Sequence, residues 1–420
     1  MKMPMISLIP MHGAIAQGRS VTLDVLIKIE PPLVELDNNA RPPLNLGFVL
    51  DKSGSMHGNK LDYAKQAIAY AIEQLLPSDR LSLTLFDTQV ETKIPSTLAT
   101  DKQRLLETIK LIRSGSSTAL HDGWVQGGIQ VGQYLNNDHL NRVILLSDGL
   151  ANVGETNPDV IASDVHGLMK TGISTSALGV GRDYDEDLLE AIARSGDGNF
   201  FHIASPEDLP QIFETELQGL ATTIGRSVTL KLDPQAGTTV KEVLNDLERE
   251  ESGAIKLPNL TVANPLKVVV RLRVPACDGA TDVLEVALQW EDTEHGETLA
   301  QTATLQLQVV NPEQLSDFPA NPEVQEQVAL LMAARARQEA IDRLDQGDVT
   351  GAVQFLNDSA RTLEAMPASA PLMEELSNLK DLAEDFETGD RQMSRKRAMA
   401  EKYHLNRSRS AQYGKKRPKE

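Results

Sequence analysis

The chain has a single cysteine, Cys277, in 420 residues, so no disulfide can form within it. That suits a reducing compartment, and a cytoplasmic location is the expectation. Aromatic residues make up only 4%, so any core must be mainly aliphatic. No apolar run approaches the ~20 residues needed to cross a bilayer. The opening MKMPMISLIPMHGAIAQG has one lysine and a short apolar stretch, but Pro4, Pro10 and His12 interrupt it. It reads as structure rather than as a signal peptide. Positive charge is outnumbered, 41 Lys/Arg against 60 Asp/Glu. The net charge is -19, and an acidic body repels nucleic acid and anionic membrane surfaces. Only the end departs from this: from Arg391 onward there are eleven Lys/Arg against two Asp/Glu.

What is present is strong hydrophobic patterning. Val21, Leu23, Val25 and Ile27 alternate with polar residues, the period of a half-buried strand. Leu44 to Leu50 is almost wholly apolar and suits a strand covered on both faces. Helical and strand patterns then alternate to about residue 220: helices from Lys60 to Leu75, Lys102 to Ile112, Trp124 to Leu135, Val160 to Lys170, Asp187 to Ala193 and Pro206 to Leu220, with strands between them. Such alternation predicts a doubly wound, mainly parallel α/β sheet over residues 42–222. From Ser227 the period becomes two with no helices between, so residues 223–310 should be an antiparallel β-sandwich, completed by the strands of residues 1–41. The α/β domain is then an insertion in that sandwich or lies beside it. Residues 311–322 hold prolines and read as a linker, residues 323–388 as a helical region, and residues 389–420 as a basic disordered tail.

One constellation carries chemistry. Asp51-Lys52-Ser53-Gly54-Ser55 follows the buried strand and precedes a helix. In an open α/β sheet, this carboxyl edge is where ligands bind. The aspartate and two hydroxyls alternate along the loop and can converge on one point; hard oxygens of this kind suit Mg²⁺ or Mn²⁺. Taken alone, the segment could be a Ser/Gly turn with a helix cap. Gly115-Ser116-Ser117-Thr118-Ala119-Leu120, before a helix, and Ser147-Asp148-Gly149, after the strand Val143-Ile144-Leu145-Leu146, can reach the same edge.

In spacing, order and strand context these three segments resemble the metal-ion-dependent adhesion site of von Willebrand factor A domains, which are Rossmann-like. The resemblance implies Mg²⁺ binding, with Mn²⁺ or Ca²⁺ as substitutes. Ser53 and Ser55 would ligate the ion through their hydroxyls, and Thr118 directly or through water. Asp51 and Asp148 would hold coordinated waters and balance its charge. It further implies a protein-interaction module that binds an Asp or Glu side chain of a partner. The layout, with Ser147 to Gly154, is similar to bacterial calcium-activated chloride channel homologues and to inter-α-trypsin-inhibitor heavy chains. By the same analogy, an AAA+ ATPase of the MoxR kind is a candidate partner.

Two other classes stand beside this expectation. A self-assembling structural protein would use the metal site for homotypic contacts. A metal-dependent hydrolase or phosphatase would need an activated nucleophile, but the chain has no G-x-S-x-G elbow, H-E-x-x-H, P-loop lysine or paired metal carboxylates, so no enzyme and no catalytic residue is expected. His57 and His121 read as rim residues of the site; His139, His166 and His202 lack zinc spacing. Asp183-Tyr184-Asp185-Glu186-Asp187 reads as a solvated helix start rather than a Ca²⁺ loop. The basic tail offers Arg395-Lys396-Arg397 and Lys415-Lys416-Arg417, with Tyr403 and Tyr413. These could contact nucleic acid, or the tail could dock on an acidic body of the same or another copy, a route to self-association.

Overall fold

Three strands open the chain: β1 (Met5–Pro10), β2 (Ala14–Ala16) and β3 (Val21–Glu30). The computed structural model describes residues 3–32, 42–148, 151–182, 184–262 and 264–408. β1 pairs with β3, and their other partners come only after residue 260. Between them runs a separate unit. By contact the chain divides into Met1–Val34 with Thr223–Ala411 on one side and Glu35–Thr222 on the other.

The inserted unit alternates strand and helix: β4 (Leu44–Asp51), α1 (Asn59–Gln74), β5 (Arg80–Phe86), β6 (Val90–Leu98), α2 (Lys102–Lys110), α3 (Leu120–Gly132), β7 (Leu140–Ser147), α4 (Pro158–Lys170), β8 (Ile173–Val180), α5 (Glu186–Ser195), β9 (Asp197–Ile203) and α6 (Leu209–Ala221). The strands form one sheet in the order β6-β5-β4-β7-β8-β9. All neighbours are parallel except β5 with β6. Every residue of β4 and β7 is buried, the reason both read as mainly apolar runs despite Asn45, Asn141 and Arg142. β6 was not expected. Only Ile94 in it is fully buried and it contains Pro95, features an edge strand tolerates and a central strand does not.

Helix α3 begins at Leu120, four residues before the expected start, because its glycines weaken the helical signal while serving the packing. A Cβ at Gly127 would lie 2.2 Å from Val49 Cγ2, and one at Gly123 2.6 Å from the Phe86 ring. Bare backbone therefore seats α3 directly on β4 and β5. A buried ionic cluster ties α6 to the sheet: Arg142 Nη1 on β7 lies 2.7 Å from Glu216 Oε1, Ser176 Oγ donates to the same oxygen at 2.6 Å, and Asn199 donates to the other. Burial alone would raise Glu216, but Arg142, Ser176 and Asn199 outweigh it and hold the carboxyl below its ordinary range.

The other unit continues with β10 (Thr223–Pro234), β11 (Thr239–Val243), β12 (Ile255–Lys256), β13 (Leu260–Thr261), β14 (Leu266–Val274), β15 (Thr281–Asp292) and β16 (Thr298–Val310). They complete two sheets, β1-β3-β14-β11 and β12-β10-β15-β16-β2. Val25, Ile27 and Val270 of the first share one apolar cluster with Leu230, Val286 and Leu288 of the second. Pairing is antiparallel as expected, except that β2 joins β16 in parallel, Ile15 opposite Val309.

The expected linker is anchored: Pro312–Asp317 forms a 3-10 turn, and Asn321 N donates to Met11 O at 2.8 Å. Four helices follow, α7 (Pro322–Asp345), α8 (Val349–Glu364), α9 (Ala370–Thr388) and α10 (Arg391–Asn406). Val324 and Leu331 of α7 pack on Leu26, Leu244 and Val269.

α10 corrects the expectation of a disordered tail from residue 389. Its many charges hide a helix that docks through ion pairs as well as through the buried Ala398, Met399, Ala400 and Tyr403. Arg395 pairs with Asp345 and Arg397 with Asp385, each at 2.8 Å, while Lys396 and Tyr403 are buried. Glu401 reaches Arg337 of α7 at 3.0 Å, and Arg337 also holds Glu375 of α9. The Arg395–Arg397 run therefore meets carboxylates of its own chain instead of presenting a phosphate-binding face. Lys415, Lys416, Arg417 and Tyr413 lie outside the described residues.

Candidate functional site

The sheet order creates the site. After β4 the chain goes to β5 on one side; β7 lies on the other. The crevice between β4 and β7 is thus a topological switch point, where the carboxyl ends of two strands diverge and leave room for a ligand. Leu50 pairs with Leu146, so Asp51 at the end of β4 comes level with Ser147 at the end of β7. Asp148 is the next residue. Asp51, Ser53, Thr118 and Asp148 are each 3% exposed or less, whereas Ser55 is exposed.

Four of the five residues expected at the site form one hydrogen-bonded chain. Ser147 Oγ donates to Asp51 Oδ2 at 2.7 Å, and the Ser53 amide to Asp51 Oδ1 at 2.8 Å. The Ser53 and Ser55 hydroxyls lie 3.0 Å apart, and Ser55 Oγ donates to Asp148 Oδ1 at 2.8 Å. Thr118 stands in the neighbouring loop. Among the described residues, no hydrogen bond joins its hydroxyl to the other four. Its loop is nevertheless tied to theirs: Gly54 N donates to Ser116 O at 2.6 Å and Gly115 N to Lys52 O at 2.5 Å. Asn152 secures Thr118 from the far side, its Oδ1 accepting from the Thr118 amide at 2.9 Å.

Burial pushes Asp51 up to about 6; the hydrogen bonds from Ser147 and Ser53 pull against it, and the charge of Asp148 adds to the rise. Among the described residues, the cation that enters the cluster is Lys60, whose Nζ lies 2.6 Å from Asp148 Oδ2. Lys52 turns away to Asp87, at 2.6 Å. Burial would raise Asp87, but Lys52 and the Gln89 amide outweigh it and leave the carboxyl below its ordinary range.

The sequence did not assign a role to Ser147, Asn152 or Lys60. Ser147 was visible as the residue before Asp148, and only strand register gives it Asp51 as a partner. Lys60 did carry a signal. It falls in the first turn of α1, where the helix dipole disfavours a cation, so an anionic partner was to be sought.

The histidines stay at the rim: His57 Nδ1 lies 3.1 Å from Ser114 Oγ, and His121 Nε2 lies 2.9 Å from Asp164 Oδ2. Among the described residues, no three His, Cys, Asp or Glu side chains gather as at a zinc or carboxylate-rich site. Asp185 caps α5, accepting from the Leu188 amide at 2.9 Å, as expected of a helix start.

A family model for the von Willebrand factor type A domain matches residues 45–215. An uncharacterized protein of Synechocystis is 28% identical over 400 residues, covering 91% of this chain and 92% of its own. Inter-alpha-trypsin inhibitor heavy chain H3 of Rattus norvegicus is 30% identical over 165 residues, which cover 37% of this chain and 18% of that one. The crystal structure of the ArnB paralog VWA2 from Sulfolobus acidocaldarius aligns over 97% of this chain and 99% of its own, with a TM-score of 0.64 at 17% identity. At that identity the likeness is one of fold, and it extends beyond the parallel sheet to the two-sheet unit and the helices. No helix among the described residues is long and apolar enough to cross a membrane.

Proposed function

We propose that this chain, whose residues 45–215 match the von Willebrand factor type A domain, generally a protein-interaction module, binds a partner protein through a divalent ion held at the β4–β7 crevice. The observation that carries the reading is the convergence of Asp51, Ser53, Ser55 and Asp148 on one hydrogen-bonded chain at the switch point. The donor set fits a hard cation. It is made of oxygens alone; among the described residues, Asp148 meets the Lys60 ammonium and the buried Asp51 carboxylate has only neutral donors. Serine and threonine hydroxyls bring no further negative charge, so an ion held here stays electrophilic. Mg²⁺ suits such a set and keeps several waters; Mn²⁺ and Ca²⁺ are the substitutes to test. Bound there, the ion offers a position at which an Asp or Glu carboxylate of the partner replaces a water. In this reading Asp51 and Asp148 balance charge, Ser53 and Ser55 present hydroxyls, and Thr118 adds a third from the adjoining loop.

The test is capture from a native lysate with the full chain in Mg²⁺, in EDTA, and as Ser53→Ala in Mg²⁺. Proteins retained by the wild type in Mg²⁺ and lost in the other two arms are expected. Equal retention in all three arms overturns the reading.

A further inference from the structure

Lys60 stands where helix electrostatics works against it. It is the second residue of α1, among amide groups that have no partner within the helix and carry the positive end of its dipole. Its stem runs over Gly181, where φ is +83° and a Cβ would come within 2.9 Å of Lys60 Cε. The path is cleared by a glycine. At its end the ammonium meets Asp148 Oδ2 at 2.6 Å, while Ser55 takes the other oxygen of the same carboxylate at 2.8 Å. The side chain of Asp148 is fully buried, so water screens the pair poorly.

We propose that Lys60 is the specificity-determining cation of this site, weakening its hold on a divalent ion and strengthening the hold of the ion-loaded site on a carboxylate. The proposal rests on the metal-bridged reading above. The charges decide it. Among the described residues, Asp51 and Asp148 together with Lys60 leave the cluster one unit negative, and a divalent ion turns that balance one unit positive. That surplus calls for an anion. With a neutral residue at position 60 the loaded site would carry no net charge, and a carboxylate would gain only its bond to the metal. The same ammonium repels the incoming ion. At equal distance a doubly charged ion feels twice the free energy that a carboxylate does, so an effect of about tenfold on the ion goes with about threefold on the carboxylate.

The test uses the full chain as wild type, Lys60→Met, Lys60→Gln and Lys60→Arg, with Mn²⁺ and acetate as probes. Free Mn²⁺ is followed by electron paramagnetic resonance, and acetate binding by water-proton relaxation of the Mn²⁺-loaded chain. Lys60→Met and Lys60→Gln should bind Mn²⁺ about tenfold more tightly than wild type and acetate about threefold more weakly, while Lys60→Arg stays near wild type. A lysine that merely pins Asp148 cannot move two affinities in opposite directions. Lys60→Gln keeps a hydrogen-bond donor without the charge, so a Gln variant that matches wild type in both titrations overturns the proposal. Should Lys60→Met fail to fold by circular dichroism, the Gln and Arg variants decide. Equal Mn²⁺ affinity in all folded variants overturns the role of Lys60 alone. Absence of Mn²⁺ binding in every variant, wild type included, overturns the metal-bridged reading and this proposal with it.

Discussion

Two buried charge clusters lie in the same α/β unit and are balanced in opposite ways. Glu216 has a full partner set: the Arg142 guanidinium, the Ser176 hydroxyl and the Asn199 amide. Among the described residues, Asp148 is met by the Lys60 ammonium and the Ser55 hydroxyl, while Asp51 is held by the neutral donors Ser147 and Ser53. The first cluster is finished by the chain itself and its charge is used to hold α6 on the sheet. The second, at the switch point, is left with surplus negative charge at a place that can receive a ligand. A buried charge without a full partner set costs stability, and such costs recur at functional sites.

The largest effect expected from breaking this comparison is on the finished cluster. Arg142→Met strands Glu216 and should cost about 3–5 kcal/mol, read as a fall in the denaturant midpoint. Asp51→Asn should cost no more than about 1 kcal/mol of stability, because it removes a carboxyl that already lacks a full countercharge. The same variant should lose about a hundredfold in Mn²⁺ affinity, ~2.7 kcal/mol, by titration calorimetry. If Asp51→Asn is as destabilised as Arg142→Met, the two clusters do not differ in kind.

Acid sharpens the contrast further. The carboxyl of Glu216 is held below its ordinary range in the folded chain. Its stabilisation is therefore complete above the unfolded value of about 4.3 and is lost as pH falls through the lower folded value. Wild type should exceed Glu216→Gln in stability near pH 7, and the gap should close toward about pH 3, in urea melts across that range. The smallest effect is a surface control. Arg395→Ala breaks a partly exposed pair with Asp345 and should cost under about 1 kcal/mol in the same melts.

How far the sequence discloses the molecule follows from what each residue does. Asp51, Ser53, Ser55 and Asp148 stood out because they lie at or just beyond the ends of mainly apolar strands, in a spacing and order that resemble a known adhesion site. The parallel sheet was readable from the same strands. Ser147 and Lys60 owe their contacts with Asp51 and Asp148 to strand register and to a side-chain path over Gly181, neither of which is periodic in sequence. β6 was missed because an edge strand with one buried residue and a proline has almost no apolar signal. α3 was shortened because the glycines that seat it are poor helix formers. α10 reads as a solvated tail in the sequence because Lys396, Glu401 and Lys402, residues that ordinarily mark a surface, are among those it buries.

The insertion between β3 and β10 also sets an order of assembly during synthesis. Leu23 of β3 pairs with Leu272, so it waits for about 250 further residues before its partner exists. At about 5–20 residues per second that delay is roughly 12–50 s. The α/β unit, whose strands all lie within one continuous stretch, can complete its hydrogen bonding inside that interval. β3 passes the same time with its second edge unpaired beside β1, an apolar edge of the kind open to mispairing.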